Sequence, residues 1–191
     1  MVAEASRADG EFVRVDRFFN HRIEPEVVAA VVDELATVAA TIPHDLIVTA
    51  EASGLIPAVA LSLATSVPVV FAKKVASDVR TGLTRVVHSP TKGSDTALWI
   101  DPILLEGSTD ALIVDDFLAS GSTAIALCGM LGDAGISIAG VLAVFEKPHQ
   151  GARTRLGDLG VRVESLVRFE RVGSGYEAAD DATRVPVGVH A

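Results

Sequence analysis

Two adjacent carboxylates followed by a loop of small residues form the pattern in this sequence that is best suited to chemistry. Asp115 and Asp116 come directly after the apolar run 111–114, and the small-residue loop 119–123 leads into a helix-like segment. The first amides of a helix have no partners within it, and with the positive end of the helix dipole they bind phosphate. The carboxylates suit sugar hydroxyls or a cation instead. The pattern therefore predicts a site for a phosphorylated sugar.

Two further polar groups follow predicted strands and suit the same ligand. Residues 51–54 follow the strand Leu46–Ala50, and an ordinary capped turn is the alternative interpretation of this segment. Lys73 and Lys74 follow the strand predicted over 67–72, where they either face solvent or hold an anionic group. Ligands of doubly wound sheets bind at the carboxyl ends of the strands, so these groups are expected to meet there. A sugar with two phosphate groups would use all of them.

Apolar strands and helical segments alternate along the chain. Strands are predicted at Leu46–Ala50 and over residues 67–72, 97–100, 111–114, 141–145 and 161–169. Helices are predicted from Pro25, after Ser53, from Ser120 or Ser122 to Met130, and over residues 151–160. Continuous apolar runs are typical of parallel strands that are covered on both faces. The alternation predicts an α/β fold with a doubly wound, mostly parallel sheet, in a single domain over residues 1–191.

Two segments do not fit the alternation. Residues 75–95 are polar and weakly patterned, and a loop of this length in a compact domain is often a lid or a binding loop. The alternative interpretation is a two-stranded ribbon without an active role. The tail after about Arg171 is rich in Gly, Ala and Asp, which is compatible with an edge extension, a dimer contact or partial disorder.

The composition excludes several classes of protein. Hydrophobic residues make up 49% of the 191 residues and charged residues 21%, which predicts a packed globular protein. The net charge of −9 argues against broad nucleic-acid binding, because that needs Lys and Arg. The single cysteine, Cys128, and the lack of a signal peptide or a long apolar run lead us to expect a cytoplasmic protein without membrane contact. P-loop, dinucleotide-binding, zinc-site and nucleophile-elbow patterns are also absent from the sequence.

The segment VDDFLASGSTAIAL resembles the phosphoribosyl pyrophosphate (PRPP) signature of type I phosphoribosyltransferases. Five further segments resemble the xanthine branch of that family: VDRFFNHRIEP, EASGLIPAV, VPVVFAKK, ISIAGVLAVFEKPHQGAR and GVRVESLVRF. The resemblance covers residues 13–170, most of the chain. It implies the type I fold with a small hood over residues 75–95. It also implies transfer of the 5-phosphoribosyl group from PRPP to xanthine, giving XMP and pyrophosphate in purine salvage.

The resemblance further implies roles for individual residues. The 5′-phosphate would be held by Ala119, Ser120, Gly121, Ser122 and Thr123. Pyrophosphate would contact Ala52, Ser53, Gly54 and Lys74. The catalytic residues would be Asp115, Asp116 and Lys74, with both acids on the ribose hydroxyls. The purine would contact Val13, Asn20 and Lys147, within the segments 13–25 and 146–153. Mg²⁺ would be held mostly by substrate oxygens, with Asp115 or Asp116 steadying it directly or through water. The resemblance also suggests a homodimer.

The identity of the base stays open between alternatives. A lysine ammonium only donates hydrogen bonds, so Lys147 suits a carbonyl at the six-position of a purine, whereas Asn20 can also read the two-position carbonyl of xanthine. Ser120 and Ser122 stand where the xanthine enzymes carry Asn and Gln, and the segment 75–95 contains no tyrosine. A transferase for guanine, hypoxanthine, adenine or a pyrimidine is one alternative. The other is a regulator that senses PRPP without catalysis, which the acidic charge does not favour.

Overall fold

A computed structural model describes residues 13–75, 81–89, 94–173 and 175–179 of the chain. Its α-helices are α1 (Pro25–Ala39), α2 (Leu55–Thr65), α3 (Ser122–Asp133) and α4 (Ala152–Asp158). Its strands are β1 (Leu46–Ala50), β2 (Val69–Val75), β3 (Leu83–Ser89), β4 (Ser94–Ile100), β5 (Asp110–Leu118), β6 (Ser137–Glu146), β7 (Val163–Val172) and β8 (Gly175–Ala178). Short 3-10 turns lie at Val15–Arg17, Pro102–Leu105 and Pro148–Gln150.

The described strands form one sheet in the order β3-β4-β2-β1-β5-β6-β7-β8. The central strands β2, β1, β5, β6 and β7 are parallel to one another. The pairs β2–β4, β3–β4 and β7–β8 at the two sides are antiparallel. The predicted α/β class with a doubly wound, mostly parallel sheet is therefore confirmed. The strand order reverses between β1 and β5, and such a switch point opens a crevice at the carboxyl ends of the strands.

Both faces of the central strands are buried under helices. Successive side chains of a strand point to opposite faces. On β5, Leu112 and Val114 belong to the core cluster that contains residues of α1 and α2, whereas Ala111 and Ile113 belong to the cluster with α3 and α4. This double burial explains why the strands are continuous apolar runs, and it holds their ends in fixed positions.

Two strands extend further than the apolar pattern predicts. β5 includes Asp115 and Asp116, because its backbone pairing with β6 continues through Phe117 opposite Phe145. β2 includes Lys73 and Lys74, since its end pairs with β4. The acids and lysines thus lie within strands rather than in the loops after them. Backbone hydrogen bonding does not require apolar side chains, so the polar residues end the pattern but not the strand.

The segment 75–95 contains β3 and the first two residues of β4, and these two strands form an antiparallel ribbon. β3 and β4 pair in register from Leu83 opposite Ile100 to Ser89 opposite Ser94. Arg85 of β3 forms an ion pair with Asp133 at the end of α3, which ties the ribbon to that helix. The two-stranded form is that of the alternative interpretation, and whether the ribbon acts as a lid or has no active role stays a prediction. Residues 76–80 and 90–93 lie outside the described residues.

The described part of the tail extends the edge of the sheet. β8 forms a hairpin with β7, with Arg171 opposite Tyr176. The tail residues 174 and 180–191 lie outside the described part of the chain. Within residues 13–75, 81–89, 94–173 and 175–179, no helix combines the length and the apolar character needed to cross a membrane.

Candidate active site

A cavity of about 290 Å³ opens at the carboxyl ends of β1, β2 and β5, next to the switch point. From the loop after β1 and the end of β2, it is lined by the predicted residues Ala52, Ser53, Gly54 and Lys74. From β5 and the start of α3, it is lined by Asp115, Asp116 and Thr123. Side chains of the β3–β4 ribbon, among them Val87 and Thr96, close one side of it. The structure thus brings the three predicted groups together in one place.

The loop after β1 approaches the acids closely because residue 54 is a glycine. A Cβ at this position would clash with the Thr49 hydroxyl and would lie 2.8 Å from Asp115 Oδ1. Glu51, which precedes the loop, accepts a hydrogen bond from the backbone N–H of Lys74. The peptide bond between Glu51 and Ala52 is cis. The N-cap of α2 is Gly54, and no side chain caps this helix. Whether residues 51–54 bind a ligand or form an ordinary turn stays a prediction.

The two acids of β5 form a crowded anionic pair. Asp116 is only 5% exposed and accepts a hydrogen bond from Asn20 Nδ2 at 3.1 Å. Asp115 Oδ1 accepts the backbone N–H of Asp116 at 2.9 Å. Burial raises the pKa of Asp115 well above its ordinary value, the charge of Asp116 raises it further, and Lys74 opposes the shift. Hydroxyl donors or a cation in the cavity would relieve this crowding.

The acid pair fits a magnesium ion that is bound mainly through its substrate. Mg²⁺ in phosphate sites commonly takes one or two carboxylates, with waters and substrate oxygens completing its octahedron. Asp115 and Asp116 offer such oxygens at the cavity wall. Among the described residues, no group of three His, Cys, Asp or Glu side chains could hold a metal ion by itself. The carboxylates therefore suit an ion that arrives with a phosphorylated ligand.

The turn before α3 has the geometry of a helix N-terminus. Its N-cap is Gly121, with a positive φ of 75° that favours glycine, and a Cβ there would lie 2.9 Å from that of Ala152. The Ser120 and Ser122 hydroxyl oxygens are 2.8 Å apart and hydrogen-bonded. The helix was predicted to begin with Ser120 or Ser122 as its N-cap, but neither serine is the N-cap residue. Of the predicted phosphate turn, Thr123 lines this cavity. Ala119, Ser120, Gly121 and Ser122 precede it in the turn and are not among the lining residues.

Two of the predicted purine-binding residues lie at the end of β5, where the cavity is lined by Phe117. Asn20 contacts Asp116, and its own Oδ1 is buried without a hydrogen-bond partner. Lys147, directly after β6, is 7% exposed, and its Nζ lies 5.5 Å from the centroid of the Phe117 ring. Val13 packs against the same core cluster as Phe117. None of the three predicted purine-binding residues, Val13, Asn20 and Lys147, is among those that line the cavity, so their contact with a base stays a prediction.

A buried ion-pair network lies next to Lys147, and none of its residues was given a role from the sequence. Glu146 is fully buried and accepts hydrogen bonds from Arg153 Nη2 at 2.7 Å, from Arg153 Nε at 3.1 Å and from the Ser165 hydroxyl. Burial alone would raise the pKa of Glu146, but these hydrogen bonds and the charges of Arg153 and Arg168 lower it overall. Glu146 and Arg153 stand in the segment EKPHQGAR, seven residues apart, so that motif held a signal for the pair.

Two contacts had no sequence signal. Residues 51–54 and Lys74 were expected near each other, but nothing in the sequence pairs the Glu51 carboxylate with the backbone N–H of Lys74. Tyr176 lies in the tail, and its ring centroid is 4.4 Å from Lys147 Nζ. Both contacts join residues far apart in the chain, which no local spacing reveals.

The strand order and the cavity at its switch point define a doubly wound α/β domain with a ligand crevice at the carboxyl ends of its strands. The profile of the phosphoribosyl transferase domain matches residues 20–178, and the chain belongs to that family. It is accordingly a phosphoribosyltransferase, an enzyme of the glycosyltransferase class.

Relatives and solved structures agree with this assignment. The chain is 39% identical over 176 residues to a xanthine phosphoribosyltransferase of Chloroflexus aurantiacus, covering 92% of this chain and 83% of that protein. It is 41% identical over 167 residues to a xanthine phosphoribosyltransferase of Pseudomonas putida, covering 86% and 88%. The adenine phosphoribosyltransferase of Thermoanaerobacter pseudethanolicus superimposes with a TM-score of 0.67 at 24% identity, covering 76% of this chain and 83% of that one. That likeness concerns the fold.

Proposed function

We propose that this enzyme transfers the 5-phosphoribosyl group of PRPP to xanthine, forming XMP and pyrophosphate in purine salvage. The observation that carries the proposal is that Asn20 and Lys147 contact neighbouring residues near the end of β5, Asn20 through Asp116 and Lys147 through the ring of Phe117. The relatives named xanthine phosphoribosyltransferase, at about 40% identity over most of the chain, support the same base.

PRPP would lie across the switch point. Its 5′-phosphate would take the amides of the turn 119–123, where the helix dipole favours an anion. Its ribose hydroxyls would donate to Asp115 and Asp116, and its pyrophosphate would contact the loop 52–54 and Lys74. The cavity lining supports this arrangement, because it holds acids on β5 and a cation on β2.

The enzyme would accelerate the reaction by positioning the substrates and by electrostatic stabilisation of the transition state. A purine ring nitrogen forms a bond to the anomeric carbon while the bond from that carbon to pyrophosphate breaks, and the nitrogen's proton passes to solvent. Positive charge develops on the sugar near Asp115 and Asp116, and negative charge develops on the leaving group near Lys74. Fixed charges aimed at developing charge lower the barrier without reorganisation. Bound Mg²⁺ would neutralise part of the charge on pyrophosphate.

Base choice would follow from donor and acceptor chemistry. The Lys147 ammonium only donates, so it favours a carbonyl at the six-position and disfavours the amino group of adenine. The Asn20 amide donates to Asp116, which leaves its buried Oδ1 to accept from a ring N–H of the base. The Lys147 donor thus separates 6-oxopurines from adenine, and the second N–H of the Asn20 amide is the donor that would read the two-position carbonyl of xanthine.

The proposal also covers the assembly of the enzyme and its compartment. We place the enzyme in the cytoplasm, where its one cysteine, Cys128, stays reduced. Burial raises the pKa of that thiol to about 11, so it is a poor nucleophile. We further propose a homodimer, since Val59 and Leu63 expose an apolar strip on α2 at 42% and 81% accessibility. Small molecules, and neither nucleic acid nor membrane, would be its other partners.

Turnover with a panel of bases tests the proposal. The purified protein is incubated with PRPP, Mg²⁺ and one base at a time, and nucleotide and pyrophosphate are quantified. We expect xanthine to have the highest kcat/KM, exceeding adenine by at least about a hundredfold, as an unpaired charged donor in the site would cause. The variant carrying Asp115→Asn and Asp116→Asn serves as the inactive control. Preference for adenine or a pyrimidine, or no turnover with any base, would refute the proposal.

A further inference from the structure

The C-terminal hairpin contributes a side chain to the base end of the site. Tyr176 of β8 is 5% exposed, and its ring faces the Lys147 ammonium, with 4.4 Å between Nζ and the ring centroid. Its hydroxyl lies 3.2 Å from His149 Nε2, and the two rings are 5.4 Å apart between centroids. Tyr176 is thus held in place by the turn that follows Lys147.

The ammonium lies against two aromatic rings, because Phe117 is its second ring neighbour at 5.5 Å. Cations are attracted to aromatic faces, and more strongly where water is excluded, as it is around the 7% exposed Lys147. A lysine side chain has four flexible bonds and much rotamer freedom, and the two ring faces reduce the number of positions open to its ammonium.

On the basis of the proposed function, we infer that Tyr176 is a positioning residue for base specificity: its ring holds the Lys147 ammonium where it meets the six-position carbonyl of the purine. The β7–β8 hairpin is then a third base-recognition element beside the segments 13–25 and 146–153. Tyr176 acts through Lys147 and does not itself contact the reacting atoms. Its loss should weaken binding of the base and leave the handling of PRPP intact.

The test compares Tyr176→Leu with Tyr176→Phe in steady-state kinetics with xanthine, hypoxanthine and PRPP. Tyr176→Leu should raise KM for both bases about tenfold, the size of a desolvated cation–π contact, with kcat and KM for PRPP changed less than about twofold. Tyr176→Phe keeps the ring and should recover most of the loss. Val172→Ser, at an exposed position of the same hairpin, is the matched control for general disturbance of the hairpin.

A double-mutant cycle separates positioning from structural support. In a Lys147→Met background, Tyr176→Leu should have almost no further effect on KM for xanthine, because the group that it positions is gone. If Tyr176→Leu folds poorly, as judged by circular dichroism, Tyr176→Met replaces it, since that residue keeps the volume without the ring.

Three results would overturn the inference: an active Tyr176→Leu with unchanged base KM, equal loss of kcat or PRPP affinity, or effects that simply multiply in the cycle. Failure of the proposed function would look different. It would appear in the wild-type protein, as absence of XMP formation, before any variant is compared.

Discussion

Individual charged side chains at the carboxyl edge of this sheet are fixed by partners from other elements. Asp116 is held by Asn20, Glu51 by the Lys74 backbone, and Glu146 by Arg153. These contacts hold side chains that would otherwise be mobile in fixed orientations. A site that acts on two charged ligands needs charged groups at fixed positions. The types of these residues were readable in the sequence, but their pairings depend on contacts between distant segments.

The Glu146–Arg153 pair makes a prediction about stability. Since the folded-state pKa of Glu146 lies below its ordinary value of 4.5, its contribution is present above that value and is lost as the pH falls through the lowered pKa. Glu146→Gln should therefore lower the free energy of unfolding at pH 7 by about 2 kcal/mol, with the gap to wild type narrowing below pH 4.5. Urea unfolding at several pH values measures this difference.

Glu164→Gln is the matched control for that measurement. Glu164 pairs with Arg162, whose side chain is largely in solvent, and such pairs contribute at most about 1 kcal/mol. If both variants lose the same small amount, or if the Glu146→Gln gap does not depend on pH, the described network does not stabilise the protein.

At the scale of elements, two strand–loop–helix units meet at the switch point. The loop from β1 to α2 and the turn from β5 to α3 each use a glycine, Gly54 and Gly121, to bring backbone close to a neighbour. The apolar patterns predicted the positions of these strands and helices well, because a strand that is buried on both faces is a continuous apolar run in the sequence. The ends of β2 and β5 and the hairpin strand β8 were missed, since backbone pairing and edge strands leave little apolar pattern.

The tight contact at Gly54 predicts a large effect from one methyl group. Gly54→Ala should reduce kcat/KM for PRPP at least about tenfold, because the added Cβ would push the loop away from Thr49 and Asp115. Gly132→Ala in α3 is the control, since a Cβ there meets nothing within 4 Å and alanine favours a helix. Steady-state kinetics at saturating base measure both variants. Wild-type parameters for Gly54→Ala would contradict the described packing.

At the scale of the whole molecule, the reversal of strand order between β1 and β5 creates the site. The connection after β1 leads to β2 on one side of this point, and the connection after β5 leads to β6 on the other side. Because the two connections diverge, a crevice stays open between them. The alternation of strands and helices predicted such a sheet, yet it did not specify the order of the strands. The order depends on which surfaces pack best in three dimensions.

The proposed homodimer makes a prediction at the same scale. Light scattering coupled to size-exclusion chromatography should give twice the mass of the 19.9 kDa chain. Replacing both Val59 and Leu63 with Ser should shift the mass toward that of the monomer, because an apolar interface loses its driving force. Leu159→Ser removes an equally exposed leucine from a different element and should leave the mass unchanged. A monomeric wild type, or a dimer that survives the double substitution, would contradict this interface.

The binding mode of PRPP is the claim on which the site depends, and a crystal structure with PRPP and Mg²⁺ tests it most directly. We predict density for the 5′-phosphate at the amides of residues 119–123 and for the ribose hydroxyls against Asp115 and Asp116. Pyrophosphate should lie at the loop 52–54 and Lys74. A ligand bound elsewhere, or a cavity closed by side chains at saturating PRPP, would contradict the account.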